Sequence, residues 1–116
     1  MSVTMHRRPT QHLVIEFTFA DVPSGKKYVG EVGAGQIVSR VSLAILTPFN
    51  APLSLEVGRS DAPAELMLGS DSDATIAGVY QSTPEVIYNT STGIYLTFLA
   101  GVYPSQGSGK LIVYID

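Results

Sequence analysis

The chain contains no cysteine and no tryptophan, and charged residues make up only 15% of its 116 positions. Without cysteine there is no disulfide framework and no thiolate metal site. Charge is sparse against the roughly 25% of an average soluble domain. The net charge of −3 does not suit a dedicated nucleic-acid binder. No apolar run approaches the roughly 18 residues needed to cross a membrane as a helix. The first residues carry charge without an apolar stretch of signal length behind them, so no secretory leader is expected. No stretch shows the 3.6-residue periodicity of an amphipathic helix over about ten residues.

What is present is alternation. Leu13, Ile15, Phe17 and Phe19 are apolar, with Val14, Glu16 and Thr18 between them, which reads as a half-buried strand. Residues 26–32 read as a short exposed strand. Residues 36–46 form the longest run, with Ile37, Val41, Leu43 and Ile45 on one face and Val38, Arg40, Ser42, Ala44 and Leu46 on the other. Pro48 and Pro52 mark a loop. Leu53, Leu55 and Val57 alternate again. Residues 64–68 fit either a helical turn or a strand. Further strands are expected at 75–81, 84–89, 94–99 and 110–115, with Thr90–Gly93 as a four-residue hairpin loop between the middle pair. About eight short strands separated by turns predict an all-β, single-domain antiparallel sandwich, jelly-roll-like by first preference and a simple Greek key by second. One unit is expected over residues 13–116, preceded by an extended polar arm at 1–12.

The arm and the body differ in sign. Arg7 and Arg8 give residues 1–12 a charge of +2, whereas the rest of the chain holds five basic and ten acidic residues. A frayed terminus and an arm that docks on a neighbour both fit.

Motifs for chemistry are missing. His6 and His12 do not make the three or four convergent ligands a metal requires. Asp71-Ser-Asp73 begins like a calcium loop, but Thr75, Ile76 and Ser82 stand where its later ligands and glycine belong. An irregular calcium site from Asp61, Glu65, Asp71 and Asp73 and plain turn chemistry both stay open. Gly33-Ala-Gly35 lacks the third glycine and the helix of a phosphate loop, and Gly107-Ser-Gly109 lacks the nucleophile-elbow spacing. Glu16 and Glu56 lie on outward strand faces with no reason to meet. Asn89-Thr-Ser91 matches a glycosylation acceptor by pattern only. No catalytic residue, cofactor or metal, and no enzyme activity, is expected.

The residues that ask for an explanation are apolar ones on outer faces. If Leu111, Val113 and Ile115 serve the core, then Ile112 and Tyr114 face out. If Ile94, Leu96 and Phe98 serve it, Tyr95 and Leu99 face out. A regular hairpin at Thr90–Gly93 would set Ile87 against Leu96 and Tyr88 against Tyr95. One sheet would then carry Tyr88, Tyr95, Leu99, Ile112 and Tyr114 on its outer side, a composition typical of contact surfaces. Of these, Tyr88, Tyr95, Ile112 and Tyr114 form, with Arg7 and Arg8, the expected partner-binding set.

The run Leu53-Ser-Leu-Glu-Val-Gly58, then Ala62-Pro63, Glu65-Leu-Met67, Asp73 and Gly78-Val-Tyr80 resembles small β-sandwich virion proteins of tailed bacteriophages, most of all capsid decoration (cement) proteins. The resemblance spans roughly residues 40–115. It implies a sandwich without chemistry that bridges capsid subunits on the virion. Its partners would be the major capsid protein or another virion protein and copies of itself, with neither nucleic acid nor membrane. Tail and fibre components belong to the same group. A carbohydrate-binding or adhesin module, with Tyr28, Tyr80 and Tyr103 as stacking rings, is the alternative.

Overall fold

A computed structural model describes residues 11–116. Nine strands follow in order: β1 (Gln11–Thr18), β2 (Lys26–Val32), β3 (Ile37–Thr47), β4 (Ser54–Arg59), β5 (Ala62–Met67), β6 (Gly78–Ser82), β7 (Val86–Ile87), β8 (Thr92–Leu99) and β9 (Ser108–Ile115). Short 3₁₀ turns occupy Phe19–Ser24 and Gly69–Asp71. The strands form two antiparallel sheets, one in the order β1-β9-β3-β6 with β7 also on β3, the other β2-β8-β4-β5. If β6 and β7 count as one interrupted strand, the first pairs with the last, the second with the second from last, and so inward to β4–β5. Nested pairing divided between two sheets is the jelly roll, the preferred expectation from sequence.

Period-two burial builds the core. Leu111, Val113 and Ile115 point inward from one sheet and Ile94, Leu96 and Phe98 from the other, all at 5% exposure or less, as the alternation predicts. Each such side chain contributes about 1.5–3 kcal/mol on burial. Lys27 bridges the edge between the sheets: its Nζ donates to the Glu16 carbonyl at 2.9 Å and to Asp21 Oδ2 at 3.2 Å.

Of the two readings open for residues 64–68, strand holds: β5 takes in residues 64–67 and lies at a sheet edge, where Pro63 costs no ladder bond. Three local readings are corrected. In β3, Val38 and not Ile37 enters the core. Val38 opposes Ile115 while Arg40 opposes Tyr114, so Ser39 is an extra residue, and this bulge flips the facing on its N-terminal side. Phe19 is 40% exposed, because the strand ends at Thr18, whose amide donates to Asp21 Oδ2 at 2.9 Å and starts the 3₁₀ turn. Phe49, from the proline-bracketed loop, is buried instead. Finally, Gln11 and His12 belong to β1 and pair with Ile115 and Tyr114, so the sandwich begins inside the span expected as arm. Arg7, Arg8 and His6 lie outside the described residues.

Candidate functional site

The hairpin expected around Thr90–Gly93 does not form. β7 pairs with β3, where Ile87 opposes Ile37, whereas β8 pairs with β2 and β4. Residues 88–91 therefore cross from one sheet to the other. Tyr88 is held at that crossing: its amide donates to the Gln36 carbonyl at 3.4 Å and its carbonyl accepts from Gly35 at 2.7 Å. Its ring is buried at 6% exposure. The single outer patch expected from sequence thus divides in three. Ile112 and Tyr114 lie on the five-stranded sheet, Tyr95 and Leu99 on the four-stranded one, and Tyr88 inside.

The outer face of the five-stranded sheet carries cross-strand rows. His12, Tyr114 and Arg40 form one; Val14, Ile112, Ser42 and Gln81 form the next. The His12 and Tyr114 rings meet edge-on at 4.7 Å, and the Arg40 guanidinium lies 4.1 Å from the Tyr114 ring centroid. Such a contact contributes about 0.5–1 kcal/mol at an exposed site. Val14 is 48% and Val79 66% exposed on this face. The result is a mixed apolar and charged surface, with Glu16 across from Lys110 in a further row.

At one end of the four-stranded sheet, Tyr28, Glu31, Arg59, Asp61, Ser91, Gly93 and Tyr95 are among the residues that line a cleft of about 390 Å³. The Tyr28 and Tyr95 rings are 5.4 Å apart, tilted at 64°, and Lys26 Nζ sits 5.0 Å over the Tyr95 ring. Across Arg59 and Thr92 lies a second hollow of about 300 Å³ that includes Glu65 and Tyr88. Arg59 divides the two. Its Nε and Nη2 donate to Glu65 Oε1 and Oε2 at 3.1 and 2.8 Å, and Asp61 lies 3.8 Å away. This bidentate bond raises the Arg59 pKa further above its already high value. Tyr88 donates its hydroxyl to Glu65 Oε1 at 2.5 Å. Burial, and then that bond, push the Tyr88 phenol well above its ordinary value.

The carboxylates considered for calcium each bond to nearby protein groups. Asp61 and Glu65 serve Arg59. Asp71 Oδ2 accepts from the Leu68 amide at 2.9 Å. Asp73 Oδ1 accepts from the Thr75 hydroxyl at 2.6 Å and its amide at 3.0 Å, which lowers the Asp73 pKa. Among the described residues no three His, Asp or Glu side chains converge as a metal set. Glu16 pairs across from Lys110 on one sheet and Glu56 across from Thr97 on the other; both are outward positions, so the two carboxylates are on opposite sides of the sandwich.

Sequence reasoning missed the Arg59–Glu65–Tyr88 cluster and the Tyr28–Tyr95 pair. The spacing of Arg59 and Glu65 across a tight turn was the available signal for the first. The second joins strands far apart in the chain and leaves no local signal.

No family model matches the chain, and no curated protein matches it in sequence. Solved structures share its fold, three of them as follows. A chain of the acidic stable capsid structure of Helicobacter pylori bacteriophage KHP30 superposes with a TM-score of 0.72 at 16% identity, covering 91% of this chain and 86% of that one. A chain of the capsid asymmetric unit of cyanophage Pam1 gives 0.65 at 17% identity over 99% and 91%. A chain of the capsid of Ralstonia phage GP4 gives 0.52 at 13% identity over 97% and 90%. At these identities the likeness is one of fold.

Proposed function

We propose that this chain is a non-enzymatic structural protein of a bacteriophage virion that decorates the capsid shell and bridges neighbouring subunits. The observation that carries the reading is a jelly roll matched over at least 91% of its length by chains from three phage capsids. The sequence resemblance to decoration proteins points the same way. The shell or a sister copy would meet the outer face of the five-stranded sheet, through Ile112 and Tyr114 with Val14 and Arg40 around them. Arg7 and Arg8 would add charge-assisted bonds to acidic or carbonyl acceptors. Tyr95 would contribute from the other sheet, on a separate surface. Tyr88 is withdrawn from this set because it is buried. Low charge density leaves little repulsion between copies, and a two-fold contact would reuse one patch.

Jelly rolls also serve as lectin domains, and Tyr28, 51% exposed at the cleft, supports a glycan-binding tail or fibre module as the competing reading. The discriminating experiment adds purified protein to particles assembled without it. Saturable occupancy on the shell, seen by cryo-electron microscopy, with greater resistance to heat, is expected. Binding to a glycan array with no occupancy on particles would replace the first reading by the second.

A further inference from the structure

The two ends of the sandwich differ. One carries Arg59, Asp61, Glu85 and Asp116. At the other, the Pro48–Pro52 loop, the β5–β6 connection (residues 68–77) and the β8–β9 connection (residues 100–107) come together. The Phe49 amide donates to the Ala74 carbonyl at 2.9 Å. Asn50 Nδ2 donates to Ser105 Oγ at 2.8 Å, and the Ser105 amide donates back to Asn50 Oδ1 at 2.9 Å. The buried Phe49 ring ties the group to the core, and the Tyr80 hydroxyl donates to the Ile76 carbonyl at 2.9 Å. These loops are held in place by the chain itself, yet they show apolar side chains to water. Leu68, Ile76, Val102 and Tyr103 on the connections, with Leu46 and Leu99 at the strand ends beside them, are 51–71% exposed. The only charged residues on the three loops are Asp71 and Asp73, and each carboxylate is taken up within its own loop.

Six side chains of this size, each more than half exposed, present roughly 500–600 Å² of apolar surface, the upper end of what the largest patch on a monomer shows. At the roughly 65% apolar share of a homodimer interface, the polar loop atoms between them bring this end to about the 800 Å² per partner that a standard interface buries. Charge selects the partner. A charged surface would lose its hydration here without meeting a counter-charge. Lipid or nucleic-acid phosphates would meet no basic side chain on these loops. An identical end is apolar in the same way, its two carboxylates already bonded, and it repels little. We propose that this loop end packs against the same end of a second copy of this chain, with Val102 and Tyr103 at the centre of a two-fold contact. Loops fixed beforehand keep the ordering cost of that contact low. The sister copy is thereby assigned to the loop end, and the outer face of the five-stranded sheet is left to the shell, so one molecule has the two separate surfaces that bridging needs. Only this division of contacts rests on the virion reading; the self-contact does not.

The test uses the full-length protein free of particles. Sedimentation equilibrium is run on the parent, V102S/Y103S and I112S/Y114T, with circular dichroism as the check on folding. The parent is expected to form a dimer. V102S/Y103S, altered at exposed positions, should weaken it by about 100-fold or more, and I112S/Y114T should leave it intact. Tyr103→Ser alone should act in the same direction, which keeps the test open if the double variant unfolds. The dimer should persist from about 0.1 M to about 1 M salt, where an ionic contact is screened. A parent that stays monomeric up to its solubility limit would overturn the proposal. So would a dimer broken by I112S/Y114T and not by V102S/Y103S, which puts the self-contact on the sheet face. A monomeric parent that loses its place on particles through V102S/Y103S would give the loop end to the shell instead. An intact dimer that never occupies particles would remove the virion reading and leave this contact standing.

Discussion

Phe17 and Phe49 stack nearly parallel, 15° between planes and 6.0 Å between centroids, over two stretches of backbone that carry no side chain. A Cβ on Gly109 would stand 2.4 Å from Phe17 Cζ and 2.7 Å from the Ala44 carbonyl oxygen; one on Gly107 would stand 2.4 Å from the Phe49 ring. Gly107 also has φ +140°, a conformation that glycine adopts at little cost. Glycines that serve no nucleophile or phosphate thus serve packing: they let the chain entering β9 and the start of that strand pass beneath two rings, one from β1 and one from the Pro48–Pro52 loop.

Gly109→Ala should lower stability by about 1–3 kcal/mol or more, because a ring and a backbone oxygen must both move. Urea midpoints at constant slope would measure it. Gly101→Ala is the control: nothing stands within 4 Å of its added Cβ, and its effect should stay within about 0.5 kcal/mol.

Val38→Ala should cost about 1.5–3 kcal/mol and Ile37→Ala much less. Val38 is fully buried and Ile37 only half-buried. Strict alternation along β3 predicts the reverse order, so the pair of variants reads out the Ser39 bulge by thermal or chemical unfolding.

The folded pKa of Tyr88 lies above its unfolded value. Its contribution is therefore complete below about pH 10 and is lost as pH rises further, since the unfolded chain gives up the proton first. The slope from this one group approaches about 1.4 kcal/mol per pH unit. Tyr88→Phe should lose about 0.5–1.5 kcal/mol at neutral pH, as Glu65 keeps its Arg59 bonds, and should show a shallower alkaline decline than the parent. Unfolding curves taken at pH 7 through 11.5 would check both.

Ile112→Ser with Tyr114→Thr should leave the fold intact, because Leu111, Val113 and Ile115 hold the inward positions of β9 at 1% exposure or less. The melting temperature should fall by only a few degrees, from the lost Arg40 and His12 contacts on Tyr114. Occupancy on particles, or self-association by light scattering, should drop sharply. A double variant that still decorates at full occupancy would remove this face from the proposed contact.

Most of the sandwich could be read from alternation alone, because a residue pointing inward every second position is a local signal. Leu55, Val57, Leu96 and Leu111 were legible that way. The errors fall where a single inserted residue or a change of sheet breaks the period. Ser39 shifts the facing of its neighbours. The 88–91 crossing turns an expected hairpin into a bridge between sheets, which buries Tyr88 and parts Tyr95 from Tyr114. Phe49 enters the core from a loop that has no period at all. The cleft was the least legible feature, since Tyr28 and Tyr95 meet only through pairing between β2 and β8.

Because the strand pairs are nested, each pair closes a longer loop than the one inside it, and closing from the middle outward costs the least chain entropy at each step. Only Ser60 and Asp61 separate β4 from β5, so that hairpin sacrifices little chain entropy and can form first. Each later pair encloses all that precede it, until Gln11 meets Ile115 and nearly the whole polypeptide has become one loop. Such distant contacts place the refolding time in the range of roughly milliseconds to seconds. During synthesis, β1 emerges first and waits for β9, its partner at the far end of the chain.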